Sequence, residues 1–199
     1  MGKLNRRRIA IDNNVINWKA FQGLSPTVQK DHKKRRDYQA ILELFDLQGK
    51  NQIILVGVDQ VDREVQQTSK EAKRVALIET WKLCEEKYCL TRFESLAKSK
   101  RASRSKQESG INLQNGAWFV TDQDMKKIDE YVAFGTTCEE KTDLEVLATT
   151  AIARVDVFVT VDCGLLQNKR IRDFAKQKDD IQIYSPSEIL DKLRGEKKE

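Results

Sequence analysis

The stretch that decides the fold is residues 142–162, TDLEVLATTAIARVDVFVTVD. After Thr142, its first half places apolar residues at helical spacing, which predicts a helix capped by that threonine. Its second half is a continuous apolar run, which predicts a strand buried on both faces, and Asp162 follows this run directly. A helix that leads into such a strand is the repeating unit of a parallel α/β sheet.

The same unit recurs along the chain. Short apolar strands are predicted at residues 8–11, 53–58, 157–161 and 181–184. Helices are predicted between them, from Asp59 to about Tyr88, from Leu165 to about Lys176, and after the Ser185-Pro186 pair. This alternation predicts an α/β fold with a doubly wound, mainly parallel sheet flanked by helices.

Residues 1–199 are predicted to form a single domain with a helical and flexible insert at about 66–140. Within it, residues 95–116 have no hydrophobic period and are rich in Lys, Ser, Gln and Asn, which predicts a basic flexible loop. The chain is also expected to be loose through residues 135–140.

Composition indicates a soluble protein, with 34% charged and 39% hydrophobic residues. The sequence contains no apolar run long enough for a membrane span and no signal-type segment at its start, so we expect a cytoplasmic protein with no membrane partner. The four cysteines lack the paired spacing of a zinc site and are expected to be packing residues: Cys84, Cys89, Cys138 and Cys163.

The net charge of +5 comes with two local clusters of basic residues. The first contains Lys33, Lys34, Arg35 and Arg36, and the second contains Lys98, Lys100, Arg101 and Arg104. Such clusters attract polyanions through counterion release, which predicts a polyanionic partner. A solvated helix face or a disordered loop is the alternative for either cluster alone.

Four acidic residues are placed to meet at one edge of the predicted sheet. Asp12 and Asp162 each follow an apolar strand, and Glu64 and Asp143 lie near predicted helix starts. In an open parallel sheet, strand ends and the following helix starts share one edge, where ligands bind. Carboxylates that meet there repel each other, so a hard divalent cation is their natural complement. As alternatives, Asp143 could complement the helix dipole, and Asp62 could take the metal-facing role in place of Glu64.

At these residues the sequence resembles the PIN-domain nucleases, a family with a Rossmann-like sheet. Residues 9–14 (IAIDNN) resemble the opening strand with its D-x-N motif, and residues 61–65 (VDREV) are similar to the segment that carries the family's glutamate. The longest match is residues 142–162, and residues 183–190 look like the last strand, proline and helix. The order of all these segments along the chain is the specific part of the resemblance.

The resemblance implies a metal-dependent endoribonuclease that uses Mg2+ or Mn2+ to cut single-stranded RNA. Its catalytic, metal-binding acids would be Asp12, Glu64, Asp143 and Asp162, with Asn14 and Thr160 orienting them or the substrate. A homodimer and an antitoxin protein are the further partners that it implies. Since no acid follows Asp162 closely, a second metal position is expected to be weak or completed by substrate phosphate.

Two other functions compete with this interpretation. Haloacid-dehalogenase-like phosphatases also begin with a strand and an aspartate, but they need a second aspartate where this chain has Asn14. A non-catalytic PIN-like RNA-binding or scaffold protein would show the loss of one or more of the four acids, and all four are present. The sequence leaves a toxin, an RNA-processing enzyme and a DNA-directed nuclease open.

Overall fold

Five parallel strands form the central sheet in the computed structural model, which describes residues 6–21, 26–87, 90–91, 118–119 and 122–196. In chain order the strands are β1 (Arg7–Ile11), β2 (Ile53–Gly57), β3 (Glu86–Lys87), β4 (Leu90–Thr91), β5 (Trp118–Phe119), β6 (Val157–Val159) and β7 (Gln182–Tyr184). The central sheet has the order β3-β2-β1-β6-β7, while β4 and β5 pair separately.

Strand β1 lies in the middle of this sheet and pairs in parallel with both neighbours. Ile9 lies opposite Leu55 of β2, and Ala10 lies opposite Phe158 of β6. Ile9, Ala10 and Ile11 are completely buried. This double burial explains why the strands are continuous apolar runs rather than alternating ones.

Helices occupy most of the remaining chain and flank the sheet. They are α1 (Asn13–Phe21), α2 (Pro26–Lys30), α3 (His32–Gly49), α4 (Asp59–Gln66), α5 (Glu71–Trp81), α6 (Asp122–Phe134), α7 (Cys138–Ile152), α8 (Cys163–Gln167), α9 (Lys169–Asp179) and α10 (Pro186–Glu196). The predicted α/β fold with a parallel sheet flanked by helices is confirmed. Because the strand order reverses between β1 and β6, the topology is consistent with a Rossmann-like fold.

Within residues 66–140, the helices α5 and α6 contribute to the main hydrophobic core. Trp81 at the end of α5 and Tyr131 on α6 are both fully buried and are among the largest core side chains. Helix α6 packs against α7, which carries Asp143. These helices are therefore part of the body of the domain, whereas the predicted basic loop at 95–116 lies outside the described residues.

The prediction of one long helix from Asp59 to Tyr88 is wrong, because the chain breaks it into α4 and α5. At the break, the Thr68 hydroxyl donates to the Glu64 carbonyl oxygen at 3.1 Å, and the Thr68 N–H turns to the Val65 carbonyl at 3.4 Å. The Thr68 N–H thus bonds to the i−3 carbonyl instead of the i−4 carbonyl, which is the tighter turn with which α4 ends.

The predicted helix from Leu165 to Lys176 is also two helices. The Asn168 N–H closes α8 by donating to the Gly164 carbonyl at 3.0 Å. The Asn168 side chain then caps α9 by accepting from the Ile171 N–H at 3.2 Å. One asparagine thus ends one helix and starts the next, as its short polar side chain allows.

Two boundaries near the predicted site differ from expectation. Helix α7 is capped by Thr137, which accepts from the Glu140 N–H at 3.1 Å, so it begins at Cys138 and Asp143 lies in its second turn. Thr142 is not the cap, because its hydroxyl donates to the Cys138 carbonyl within the helix. The loose segment is thereby shorter than predicted, and β6 ends at Val159, three residues before Asp162.

The cysteines only partly follow the expectation of packing residues. Cys84 is buried in the core, while Cys138 and Cys163 are exposed as the first residues of α7 and α8. Cys89 lies outside the described residues. In the part of the chain that the structure describes, no helix has the length and apolar character needed to cross a bilayer.

Candidate active site

The candidate site lies at the carboxyl edge of the sheet, where the strand order reverses. Asp12 follows β1 directly, and its N–H donates to the Val159 carbonyl oxygen of β6 at 3.0 Å. Thr160 and Asp162 follow β6 and so emerge beside Asp12. A reversal point of this kind opens a crevice outside the carboxyl ends of the strands, which is where such sheets bind their ligands.

Hydrogen bonds tie the two strand-end aspartates together through Thr160. The Thr160 hydroxyl donates to Asp12 Oδ2 at 2.6 Å and accepts from the Asp162 N–H at 2.9 Å. Asn14 Nδ2 also donates to Asp12 Oδ2, at 3.3 Å. Both residues predicted to have an orienting role thus contact the same carboxylate oxygen.

Asp162 is held by the helix that follows it. Its Oδ1 accepts from the Gly164 N–H at 2.6 Å and from the Leu165 N–H at 3.3 Å, which makes it the cap of α8. Two backbone donors on one oxygen restrict the rotation of the side chain. The carboxylate is therefore fixed at the mouth of the crevice before any ligand binds.

Glu64 reaches the site from the second turn of α4. The Asn13 side chain hydrogen bonds to its carboxylate. Although Glu64 as a whole is exposed, loss of solvent around its carboxyl group raises its pKa, and the negative charge of Asp12 raises it further. Glu64 is thus within electrostatic reach of Asp12.

Asn13 was not predicted as a site residue. Its Oδ1 is buried and has no hydrogen-bond partner among the residues that the structure describes. Buried polar atoms are normally satisfied, so an unpaired oxygen beside carboxylates indicates a place for a cation or a donor group. The only sequence signal was its position directly after Asp12, between two residues already singled out.

Asp143 has a strongly raised pKa. It is half-buried, and its pKa rises from an ordinary 3.8 to about 7. Loss of solvent is the main cause, and the negative charges of Asp162 and Asp12 follow, with smaller effects from Glu139 and Glu64. Burial likewise raises the pKa of Asp12, with a further increase from the charge of Asp162.

These shifts show that the four predicted acids are near enough to perturb one another. Glu139 joins them and was missed, although it precedes Asp143 by one helical turn and so lies on the same face of α7. The exposed Glu139 and the half-buried Asp143 therefore form a short acidic row on one face of α7.

The donor set fits a hard divalent cation. It consists of carboxylate oxygens and the amide oxygen of Asn13, which are the ligands that Mg2+ and Mn2+ prefer over softer sites. Within the described ranges, no three Asp, Glu, His or Cys side chains already stand in a chelating arrangement. Chelation would therefore require side-chain rotation, and Glu64 and Asp143 extend from helices rather than from strand ends.

The first basic cluster lies on the same edge of the sheet as the acids. Helix α3 leads into the start of β2, so its own first turn lies at the carboxyl edge of the sheet. Asp37, close to this turn, accepts a hydrogen bond from the Ser187 N–H at the start of α10, just after β7. The Arg36 guanidinium pairs with Asp191, and Arg35 donates to the Gln29 carbonyl. Lys33 and Lys34 extend from the same turn, whereas the cluster of Lys98, Lys100, Arg101 and Arg104 lies outside the described residues.

Comparison of the chain with protein-family models gives no match, and comparison with curated proteins gives none either. The features of this edge are four carboxylates, an amide oxygen of Asn13 that has no hydrogen-bond partner among the described residues, and two lysines in the first turn of α3.

Proposed function

We propose that this chain is a Mg2+- or Mn2+-dependent endoribonuclease of the PIN-domain type that acts on single-stranded RNA. One observation carries the proposal. Asp12, Glu64, Asp143 and Asp162 come from four separate segments, and each of the first three has a pKa raised by the charge of another member of the set. This clustering of acids occurs at the point where an α/β sheet binds ligands.

The electrostatics of the site favour a cation. Burial, followed by the negative charges of Asp162 and Asp12, raises the pKa of Asp143 to about 7, so ionisation of this carboxyl group near neutral pH is favoured by a compensating positive charge. A helix N-terminus offers only about 0.3–1 kcal/mol of compensation. A divalent cation offers far more and accounts for the presence of acids at a site that would otherwise be destabilised by them.

Bound there, Mg2+ or Mn2+ would lower the pKa of a water molecule and offset charge on the scissile phosphate. Asp12 and Asp162 would hold the ion from fixed positions, because Thr160 and the start of α8 restrain their carboxylates. Glu64 and Asp143 would complete the set from the helices. Lys33 and Lys34 would attract the phosphates of the RNA backbone, since they lie on the same edge of the sheet.

The test compares two neutralised acids with a matched control. In Asp12→Asn, the Thr160 hydroxyl and the Asn14 amide can still donate to the side-chain oxygen. In Asp162→Asn, the cap of α8 persists, since asparagine caps helices as well as aspartate does. Both variants should fold normally yet cut 5′-labelled single-stranded RNA at least about a hundredfold more slowly in Mn2+. Asp173→Asn changes an exposed acid on α9 and should cut at the wild-type rate.

Parallel substrates separate the competing functions. Wild-type cleavage by both variants would contradict the assignment, and hydrolysis of a small aryl phosphate instead of RNA would indicate a phosphatase. Tight, salt-sensitive RNA binding without metal-dependent cleavage would indicate the non-catalytic RNA-binding function. The homodimer and the antitoxin partner stay predictions from the resemblance.

A further inference from the structure

A buried hydrogen-bonded amide joins the two helices that carry Glu64 and Asp143. Gln60 on α4 is only 7% exposed. Its Nε2 donates to Glu145 Oε1 at 2.9 Å, and its Oε1 accepts from the Thr149 hydroxyl at 3.1 Å. Glu145 and Thr149 are one turn apart on α7, so the amide is held at both ends by one face of that helix.

The orientation of this amide is determined by its partners. Turning it over would place the Gln60 oxygen against the Glu145 carboxylate and lose the bond to it. Thr149 is fully buried, and its hydroxyl shares its proton between Gln60 Oε1 and the Val146 carbonyl at 2.8 Å. A buried amide with both ends satisfied fixes the distance and rotation between the two helices.

The helix acids have no link like the one that joins the strand acids. Asp12 and Asp162 are connected through Thr160, whereas Glu64 and Asp143 stand on different helices. Gln60 precedes Glu64 by one turn, and Glu145 follows Asp143 by two residues. The contact between Gln60 and α7 therefore joins the two helices that carry these acids, one turn from Glu64 on α4 and two residues from Asp143 on α7.

We propose that Gln60 is a positioning residue that holds α4 against α7 and so sets the separation of Glu64 and Asp143. The inference rests on the proposed function to the extent that these acids bind the metal. The clamp itself is a statement about two helices, and it can be tested without any cleavage assay.

Two neighbouring threonines provide a matched pair of variants. Thr149 and Thr150 are both fully buried on α7, and both donate to the Val146 carbonyl, but only Thr149 also bonds to Gln60. Thr149→Val and Thr150→Val each remove one buried hydroxyl and make the same change of side-chain shape. A difference between the two variants therefore reports the bond to Gln60. Thr149→Ser keeps the hydroxyl and should keep this bond.

The first measurement is amide hydrogen exchange in α4 of the metal-free protein. We expect Thr149→Val to speed exchange of the hydrogen-bonded amides of α4 about fivefold or more relative to Thr150→Val, because that helix loses its attachment to α7. Gln60→Met should act in the same direction. Equal exchange in the two valine variants would overturn the clamp, whether or not the protein cuts RNA.

The second measurement is the dissociation constant of Mn2+, followed by calorimetry with the full chain. Groups that orient metal ligands typically change metal affinity by about 10- to 100-fold, so we expect Thr149→Val to weaken binding about tenfold and Thr150→Val and Thr149→Ser to leave it near wild type. Equal affinities in all variants would overturn the positioning role. If the wild type binds no Mn2+, the proposed function fails, and the exchange measurement still decides the clamp.

Discussion

Neutralising Asp143 should stabilise the metal-free protein at alkaline pH while removing its proposed activity. The folded chain raises the pKa of this carboxyl group from 3.8 to about 7. Because the folded-state pKa lies above that of the unfolded chain, Asp143 favours folding most below pH 3.8. That contribution is lost progressively as the pH rises toward about 7. Above that pH, ionised Asp143 opposes folding, and Asp143→Asn should relieve the cost.

The size of the effect follows from the pKa. A pKa that is higher by about three in the folded chain corresponds to about 4 kcal/mol of folding free energy, at 1.36 kcal/mol for each unit of pKa. Asp143 is half-buried, and solvent screening reduces the usable part to about 1–2 kcal/mol. For a chain of this length, that gain raises the melting temperature by about 3–6 °C.

Thermal unfolding of EDTA-treated protein at pH 8 and pH 4 tests this reasoning. Asp143→Asn should melt higher than wild type at pH 8, and the difference should shrink to a small fraction at pH 4, where the wild-type carboxyl group is protonated in the folded state. Asp173→Asn, an exposed acid on α9, should change little at either pH. A gain of equal size at both pH values, or no gain at pH 8, would refute the raised pKa of Asp143 in the folded protein.

Three further predictions concern the core, a buried carboxylate and metal binding. Gly57→Ala should lower the free energy of unfolding in urea by about 1–3 kcal/mol, because the new Cβ overlaps the buried Trp81 ring. Gly49→Ala has open space around the new Cβ and should raise the free energy of unfolding by about 0.5 kcal/mol. Asp37→Ala should cost about 1–3 kcal/mol in the same assay, since it leaves the Ser187 N–H and hydroxyl without their buried acceptor; an unchanged urea midpoint would contradict this. Mn2+ at a hundred times its dissociation constant should stabilise the wild type by about 2.7 kcal/mol at pH 8, and a variant with all four acids neutralised should show no such gain in melting temperature.

Local sequence patterns predicted the strands well, because these strands are buried on both faces of the sheet. The strands β1, β2, β6 and β7 were found within a few residues, because a strand buried on both faces must be apolar throughout. The last helix was also predicted correctly, since Ser185 and Glu188 form a capping box in which the Ser185 N–H donates to the Glu188 carboxylate at 2.7 Å.

Helix ends were predicted poorly where several polar residues compete for the same role. Thr136, Thr137 and Thr142 could each cap α7, and the choice of Thr137 depends on Glu140, whose carboxylate accepts from the Thr136 backbone and pairs with Arg170 on α9. Such choices are made by tertiary partners that a local pattern does not contain.

The amino-acid sequence alone determined the alternation of strands and helices and the placing of Asp12 and Asp162 just after two of the strands, because these follow from local hydrophobic periodicity. Only the tertiary structure decided that β1 and β6 are neighbours, that Thr160 bridges the two aspartates, and that Gln60 ties α4 to α7. The physical reason is separation along the chain. Thr160 bonds to a carboxylate 148 residues away, and Gln60 to one 85 residues away, and contacts over such distances depend on strand order and helix packing.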